Sequence, residues 1–309
     1  MLKKTDKILI AGQEGMVGSA IYNLLKKKNY TIIECKRRYL DFTNYQKVSL
    51  FFKKKKPSIV INAAGKVGGI LDNSTYPIEY LNKNISIGLN IINLSYKYRV
   101  KKLINLGSAC IYPKITKLPI KEEYLLSSYL EKTNEAYALA KIITLKLCEY
   151  YKMKKKKNFI SIQPCNLYGE NDNYDLKSSH VIPALIRKFY EAKISKRPKI
   201  IIWGSGKNKR EFMHVNDLAD AIFFLLKKNT TEYFLNIGTN QEVSIKNLAN
   251  KIKIIYGFKG KVLFDKSKPD GQMRRVLDST KIKKMGWKSK ISLNEGLHQV
   301  CNNFKKNVN

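Results

Sequence analysis

Histidine is scarce: His180, His214 and His298 are the only three in 309 residues, and none stands at metal-ligand spacing from another, so no catalytic metal is expected. The five cysteines (Cys35, Cys110, Cys148, Cys165 and Cys301) are odd in number and form no C-x-x-C pair, which argues against a disulfide framework or a structural zinc site and fits a reducing compartment. No apolar run approaches the roughly 20 residues needed to cross a bilayer, so no membrane partner is expected. The opening segment MLKKTDKILIAG runs straight into a strand pattern and lacks an export signal's apolar core and cleavage site, so a cytoplasmic location is expected. Acid is short as well: 24 Asp and Glu stand against 59 Lys and Arg, giving a net charge of +35.

Such a charge first suggests a polyanion. It is mostly lysine, however, and the runs Lys53 to Lys56 and Lys154 to Lys157 fall where helices are expected to end, a position that favours cations through the helix dipole. The reading preferred here is a solvated basic surface that also draws in an anionic nucleotide, with no specific nucleic-acid partner.

What the sequence does contain is a regular alternation. Short β-branched runs at Lys7 to Ala11, Thr31 to Glu34, Ser58 to Ala64, Lys102 to Gly107 and Phe159 to Pro164 are separated by amphipathic stretches such as Met16 to Lys28 and Glu79 to Tyr98. Apolar strands joined by helical crossovers predict an α/β fold with a Rossmann-type doubly wound parallel sheet, whose ligands collect at the carboxyl ends of the strands. After about residue 166 the rhythm loosens, with helices expected near Val181 to Ala192, Val215 to Lys227 and Ile245 to Tyr256 and a strand at KIIIW. The expected division is a cofactor-binding body over residues 1–165, to which later segments return, and a smaller α/β substrate-binding lobe built mainly from residues 166–309. No internal repeat and no clear linker separate the two.

The first strand runs directly into Gly12-Gln13-Glu14-Gly15-Met16-Val17-Gly18 and then a helix. Backbone amides at a helix start can reach a pyrophosphate only where no Cβ intervenes, so glycines between strand and helix predict a dinucleotide site. After the second strand the signals conflict. Glu34 suits the ribose hydroxyls of NAD, whereas Lys36-Arg37-Arg38 suits the 2′-phosphate of NADP, which is the expected cofactor.

Tyr137 and Lys141 lie four apart on a helical segment and therefore share one face. An ammonium beside a phenol stabilises its anion, so Lys141 is expected to lower the pKa of Tyr137. By itself the pair is more often surface decoration. The strand Lys102 to Gly107, however, opens into Ser108-Ala109-Cys110, which sets a hydroxyl and a thiol at a carboxyl strand end. Ser108 can hydrogen-bond a substrate carbonyl. Cys110 is read either as a core thiol or, from its place in a loop, as a group doing chemistry.

These residues resemble the extended short-chain dehydrogenase/reductases and, within them, the GDP-L-fucose synthases. The segments that carry the resemblance through nearly the whole chain are AGQEGMVGSAI, AAGKVGGI with NSTYP, LGSACIYPK, TNEAYALAKI, PCNLYGENDN, SSHVIPALIRKF, WGSGKNKREFMHV and KPDGQMRRVLD. The resemblance implies conversion of GDP-4-keto-6-deoxy-mannose to GDP-L-fucose, by epimerisation at carbons 3 and 5 and then NADPH-dependent reduction at carbon 4. It implies catalytic roles for Ser108, Cys110, Tyr137, Lys141 and His180, with Cys110 and His180 as the base and acid of epimerisation. It implies NADP(H) held by Gly12 to Gly18, Arg37, Arg38, Leu106, Gly107, Ser108, Lys141, Pro164, Asn166, Leu167 and His180. For the GDP-sugar it points to Lys188, Trp203, Arg210 and Asp278, and it implies a homodimer. Read without the resemblance, His180 is a helix-start histidine that bonds locally and Trp203 is a core residue ending an apolar strand. The chain departs from the family pattern at Glu14, where a basic residue often stands, at Ala109 and Cys165, where polar residues are expected, and at Gly65.

Overall fold

The computed structural model describes residues 2–268 and 271–308. Strand β1 (Lys7–Ala11) leads into α1 (Met16–Lys27), followed by β2 (Thr31–Ile33), α2 (Tyr45–Lys55), β3 (Ile59–Asn62), a short α3 (Ile70–Thr75), α4 (Pro77–Lys97), β4 (Lys102–Leu106), α5 (Glu135–Lys155) and β5 (Asn158–Pro164). The later elements are β6 (Asn166–Tyr168), α6 (Val181–Ile194), β7 (Lys199–Trp203), β8 (Lys209–His214), α7 (Val215–Lys227), β9 (Phe234–Ile237), β10 (Glu242–Ser244), α8 (Ile245–Tyr256), β11 (Lys261–Asp265), β12 (Arg274–Arg275), α9 (Thr280–Lys284) and α10 (Leu293–Val308).

Six strands form one parallel sheet in the order β2-β1-β3-β4-β5-β9. Both faces are covered by helices, which is why β3, β4 and β9 are buried at every position and read as continuous apolar runs rather than alternating ones. The strand order reverses between β1 and β3, so the crevice beyond their carboxyl ends opens at the loop that follows β1. The expected lysine runs do close helices: Lys53 to Lys55 end α2 and Lys154 and Lys155 end α5, each followed by a left-handed lysine, Lys56 (φ 47°) and Lys156 (φ 51°).

The sixth strand and α7, which packs on α1, come from the second half of the chain and complete the first body. Elsewhere that half builds smaller sheets. Strand β8 pairs with β6, β10 and β12, and β7 pairs with β11. Helices α6, α8 and α10 close over a separate apolar core that includes Phe189, Ile252, Tyr256 and Phe304. One buried carboxylate ties these parts together: Glu211 on β8 accepts from the amides of Asn240 (2.7 Å) and Leu277 (2.9 Å), fixing the loops that follow β9 and β12.

Candidate active site

The glycine loop after β1 is held by contacts that only glycine allows. Gly12 adopts φ +81°, and a Cβ there would meet the Ala63 carbonyl at 2.7 Å; a Cβ on Gly18 would lie 1.9 Å from the Gly12 oxygen. Gly15 is different. It is the N-cap of α1, the helix start receives no side-chain cap, and a Cβ there would meet only Gly12 O at 3.5 Å, an ordinary contact, so the space beside it is otherwise open. Uncapped amides facing a cradle of that kind fit a pyrophosphate. Gln13 and Glu14 reach sideways to the segment after β2, where Gln13 Oε1 accepts from Cys35 N (3.0 Å) and Glu14 Oε2 from Arg37 N (2.8 Å). The side chains of Arg37 and Arg38 are exposed beside that loop, with Arg38 lying over the Tyr39 ring at 4.5 Å.

A ladder of buried amides and hydroxyls runs under the carboxyl ends of β3, β4 and β5. Asn62 donates to Asn105 (2.8 Å), Asn105 to Ser161 (3.2 Å) and Gln163 to Ser161 (3.0 Å), while Gln163 Oε1 accepts from Ser108 N (2.8 Å). A buried polar group is stable only when paired, so the ladder fixes where Ser108 emerges. The Ser108 hydroxyl then accepts from Cys110 N (3.3 Å) and acts on the Tyr137 phenol, drawing its pKa down.

Lys141 is buried, and its Nζ donates to the Leu106 carbonyl at 2.9 Å and lies 5.6 Å from the centre of the Tyr137 ring. Burial brings its pKa down to about 8. The expected depression of Tyr137 by Lys141 is not what this arrangement produces. Burial, and after it the neighbouring Cys110, push the phenol well above its ordinary range, and the Ser108 hydroxyl opposes them. Behind Tyr137 stands a group the sequence reading did not single out: Tyr80 of α4 packs edge-on against its ring at 6.1 Å and donates its own hydroxyl to Asp72.

Cys110 packs against the edge of the main core but is not enclosed by it. The other four cysteines are buried, while Cys110 is part-exposed in a 3-10 turn over Ala109–Ile111. Burial raises its thiol pKa, and the Ser108 hydroxyl together with the charges of Arg275 and Lys141 acts in the opposite direction. His180 is the N-cap of α6, yet its side chain makes no cap bond, so the local-bonding reading of this histidine does not hold. It is exposed at its edge, and the protein around the imidazole lowers its pKa below the ordinary value.

The loop after β3 spans from one group to the other. A Cβ on Gly65 would lie 3.6 Å from Lys141 Nζ, and four residues later Gly69 N donates to Ser178 O (2.9 Å), two residues ahead of His180.

Farther out, Lys188 donates to the Ile201 carbonyl (3.2 Å) and burial lowers its pKa. Trp203 is 59% exposed at the end of β7, with Lys268 Nζ 5.7 Å from its ring, so it is no core residue. Arg210 projects from β8, its NH1 donating to Lys209 O (2.8 Å). Asp278 is engaged in its own turn, where its carboxylate accepts from Thr280 N (2.8 Å). Asn166 is exposed beyond Pro164 and donates to the Glu211 carbonyl (2.9 Å), and Leu167 pairs with Met213 between β6 and β8. Among the described residues no group of three or more His, Cys, Asp or Glu is arranged to hold a metal ion.

The sequence profile of the NAD dependent epimerase/dehydratase family matches residues 8–238. The chain belongs to that family. Over 309 residues it is 46% identical to a protein of Arabidopsis thaliana named Putative GDP-L-fucose synthase 2, covering 100% of this chain and 94% of that one. It is 42% identical to the GDP-L-fucose synthase of Escherichia coli strain K12 over 312 residues, covering 98% of this chain and 97% of the relative. Among solved structures it is similar to a GDP-L-fucose synthetase from Naegleria fowleri bound to NADP, with a TM-score of 0.92 and 28% identity over 100% of this chain and 95% of that one.

Proposed function

We propose that this chain converts GDP-4-keto-6-deoxy-mannose to GDP-L-fucose, inverting carbons 3 and 5 and then reducing carbon 4 with NADPH. The observation that carries this reading is the meeting, at the carboxyl end of β4, of two kinds of machinery: the Ser108, Tyr137 and Lys141 set of a carbonyl reductase, and a part-exposed thiol, Cys110, set among them.

The 4-keto group makes the protons on carbons 3 and 5 acidic. Cys110, as thiolate, removes the proton from carbon, and the electron pair moves onto the carbonyl oxygen, where the hydroxyls of Ser108 and Tyr137 hydrogen-bond it. His180 returns a proton to carbon on the other face, which inverts the centre and restores the ketone. NADPH, when bound, supplies the hydride for carbon 4. Tyr137 gives its proton to the oxygen as the alcohol forms, and Lys141 holds the phenol's surroundings positive while that proton leaves. Gly12 to Gly18 would cradle the pyrophosphate, Arg37 and Arg38 would meet the 2′-phosphate, and Leu106, Gly107, Pro164, Asn166 and Leu167 would flank the nicotinamide. Lys188 and Arg210 face the diphosphate and Trp203 offers its ring to the base. Asp278, its carboxylate placed by the bond from Thr280 N, completes the set that binds the GDP-sugar. Residues 1–165 with α7 and β9 make the cofactor body, and residues 166–309 otherwise make the substrate lobe. The working form is a cytoplasmic homodimer without a specific nucleic-acid partner.

An isomerase that keeps its nucleotide oxidised and returns the hydride is the competing reading, and the thiol is what disfavours it. Purified protein given GDP-4-keto-6-deoxy-mannose and NADPH should oxidise the nucleotide and yield GDP-L-fucose, identified by chromatography and mass. Folded protein that forms no GDP-L-fucose and oxidises neither NADPH nor NADH overturns the assignment.

A further inference from the structure

Arg275 enters the site from the substrate lobe. Its strand β12 pairs with β8, residue 275 against Arg210, and the strand is pinned two residues later where Leu277 N donates to buried Glu211 (2.9 Å). From that anchor the guanidinium donates to the carbonyls of Ala109 and Tyr112 (3.1 Å for the latter), and its NH1 is held by Gln272 Oε1. Those two carbonyls stand on either side of Cys110.

We propose that Arg275 is a positioning residue for the epimerisation step: with Nη1 held by Gln272, its Nη2 grips the turn that carries Cys110 and the guanidinium sets a permanent positive charge beside the thiol. Guanidinium suits this task because several donors in fixed geometry can hold two carbonyls at once and its charge is retained when buried. The groups that face the thiol are Ser108 on its own turn, Tyr137 and Lys141 on α5, and Arg275 on β12. Glu131 and Tyr112 act in turn on Arg275. Of the two cations, Lys141 is close to losing its proton in the mildly alkaline range, whereas Arg275 stays charged throughout. The thiolate thus keeps one fixed counter-charge at every working pH, and that charge comes from β12 rather than from the sheet that carries Cys110.

The proposal rests on the reading of Cys110 as the epimerisation base, so the test has two separable readouts. Iodoacetamide alkylation of Cys110, followed across pH by mass spectrometry of the peptide that contains it, reports the thiol without any substrate; the other four cysteines are buried. Solvent deuterium entering carbons 3 and 5 of GDP-4-keto-6-deoxy-mannose reports the reaction. Arg275→Lys keeps the charge, Arg275→Gln keeps a donor without charge, and Arg275→Met keeps neither. The alkylation midpoint should stay near wild type in the Lys variant and rise by about one unit in the Gln and Met variants, a roughly ten-fold slower alkylation at pH 8, with deuterium entry slowed in parallel. If Met at this position prevents folding, the Lys and Gln variants decide by themselves. A Gln variant with the wild-type midpoint, or a Lys variant shifted as far as Gln, overturns the proposal. Shifted midpoints in a protein whose wild type exchanges no deuterium uphold the hold of Arg275 on the thiol but overturn the functional reading, and with it the role in epimerisation.

Discussion

The ammonium of Lys141 and the carbonyl of Leu106 are joined at 2.9 Å, so a helix side chain is fastened to the last residue of the central strand. The bond holds the charge where burial works against it.

Because burial brings Lys141 to about 8, catalysis that needs its charge should decline above that pH. The alkaline limb of kcat/KM for NADPH is expected near pH 8, and in Lys141→Arg, if active, it should move upward. A limb that stays in place assigns it to another group.

The same shift affects stability. An unfolded lysine titrates near 10.4, so between about pH 8 and 10.4 the unfolded chain binds more protons and stability rises with pH; below pH 8 the buried charge destabilises the fold in full. Lys141→Met should therefore raise Tm at pH 7 by about 2 to 4 °C, after subtraction of the lost bond to Leu106, and should abolish turnover. Calorimetry at pH 7 and pH 10.5 checks the sign, since the gain should vanish at the higher pH.

Tyr137→Phe and Ser108→Ala should each lower reduction by about a hundred-fold or more, with the fold intact by circular dichroism. In Tyr137→Phe deuterium should still enter carbons 3 and 5, slowed less than reduction, because Cys110 and His180 remain and Ser108 still hydrogen-bonds the carbonyl oxygen. Loss of exchange equal to the loss of reduction would mean that Ser108 alone cannot hold the charge that develops on that oxygen.

The glycine loop predicts a split between two similar changes. Gly18→Ala drives a methyl into the Gly12 carbonyl and should lower stability by several kcal/mol, whereas Gly15→Ala meets nothing closer than 3.5 Å and should leave Tm within about 2 °C while raising the KM for NADPH roughly ten-fold. Melting curves and cofactor titrations on both variants give the comparison; equal effects on Tm would contradict it.

Glu14 both steadies Arg37, through its bond to that residue's amide, and places a negative charge beside the exposed arginines. Glu14→Gln preserves the acceptor and removes the charge, so the KM for NADPH should fall about three- to ten-fold with little change for NADH. A parallel change for both cofactors would mean that Glu14 does not sense the 2′-phosphate.

The strands were legible because parallel strands covered on both faces are apolar throughout, and the helices because one face of each is; the ends at Ala11, Lys227 and Tyr256 fall where periodicity put them. Ser108, Tyr137 and Lys141 were legible from spacing together with their place at a strand end. Two groups and two shifts of pKa were not. Tyr80 and Arg275 act through neighbours 57 and 165 residues away, Tyr137 and Cys110, and no local pattern announces such a contact. The depressed lysine and raised phenol come from burial, which reverses the charge-pair argument that adjacency alone suggests. One signal was available for Arg275: two adjacent arginines in RRV, beyond a glycine turn, in a segment whose apolar residues mark it as part of the fold.

The ladder from Asn62 through Asn105 and Ser161 to Gln163 gives the sheet interior a say in chemistry at its rim. Replacing the Ser161 hydroxyl, which is fully covered, would leave the Gln163 amide without its acceptor and Asn105 with only Thr144 (3.4 Å), and let Gln163 turn from the Ser108 amide. Damage of this kind would register as lost precision in proton transfer well before it registered as unfolding, and a search for impaired variants confined to the walls of the cleft would pass over it.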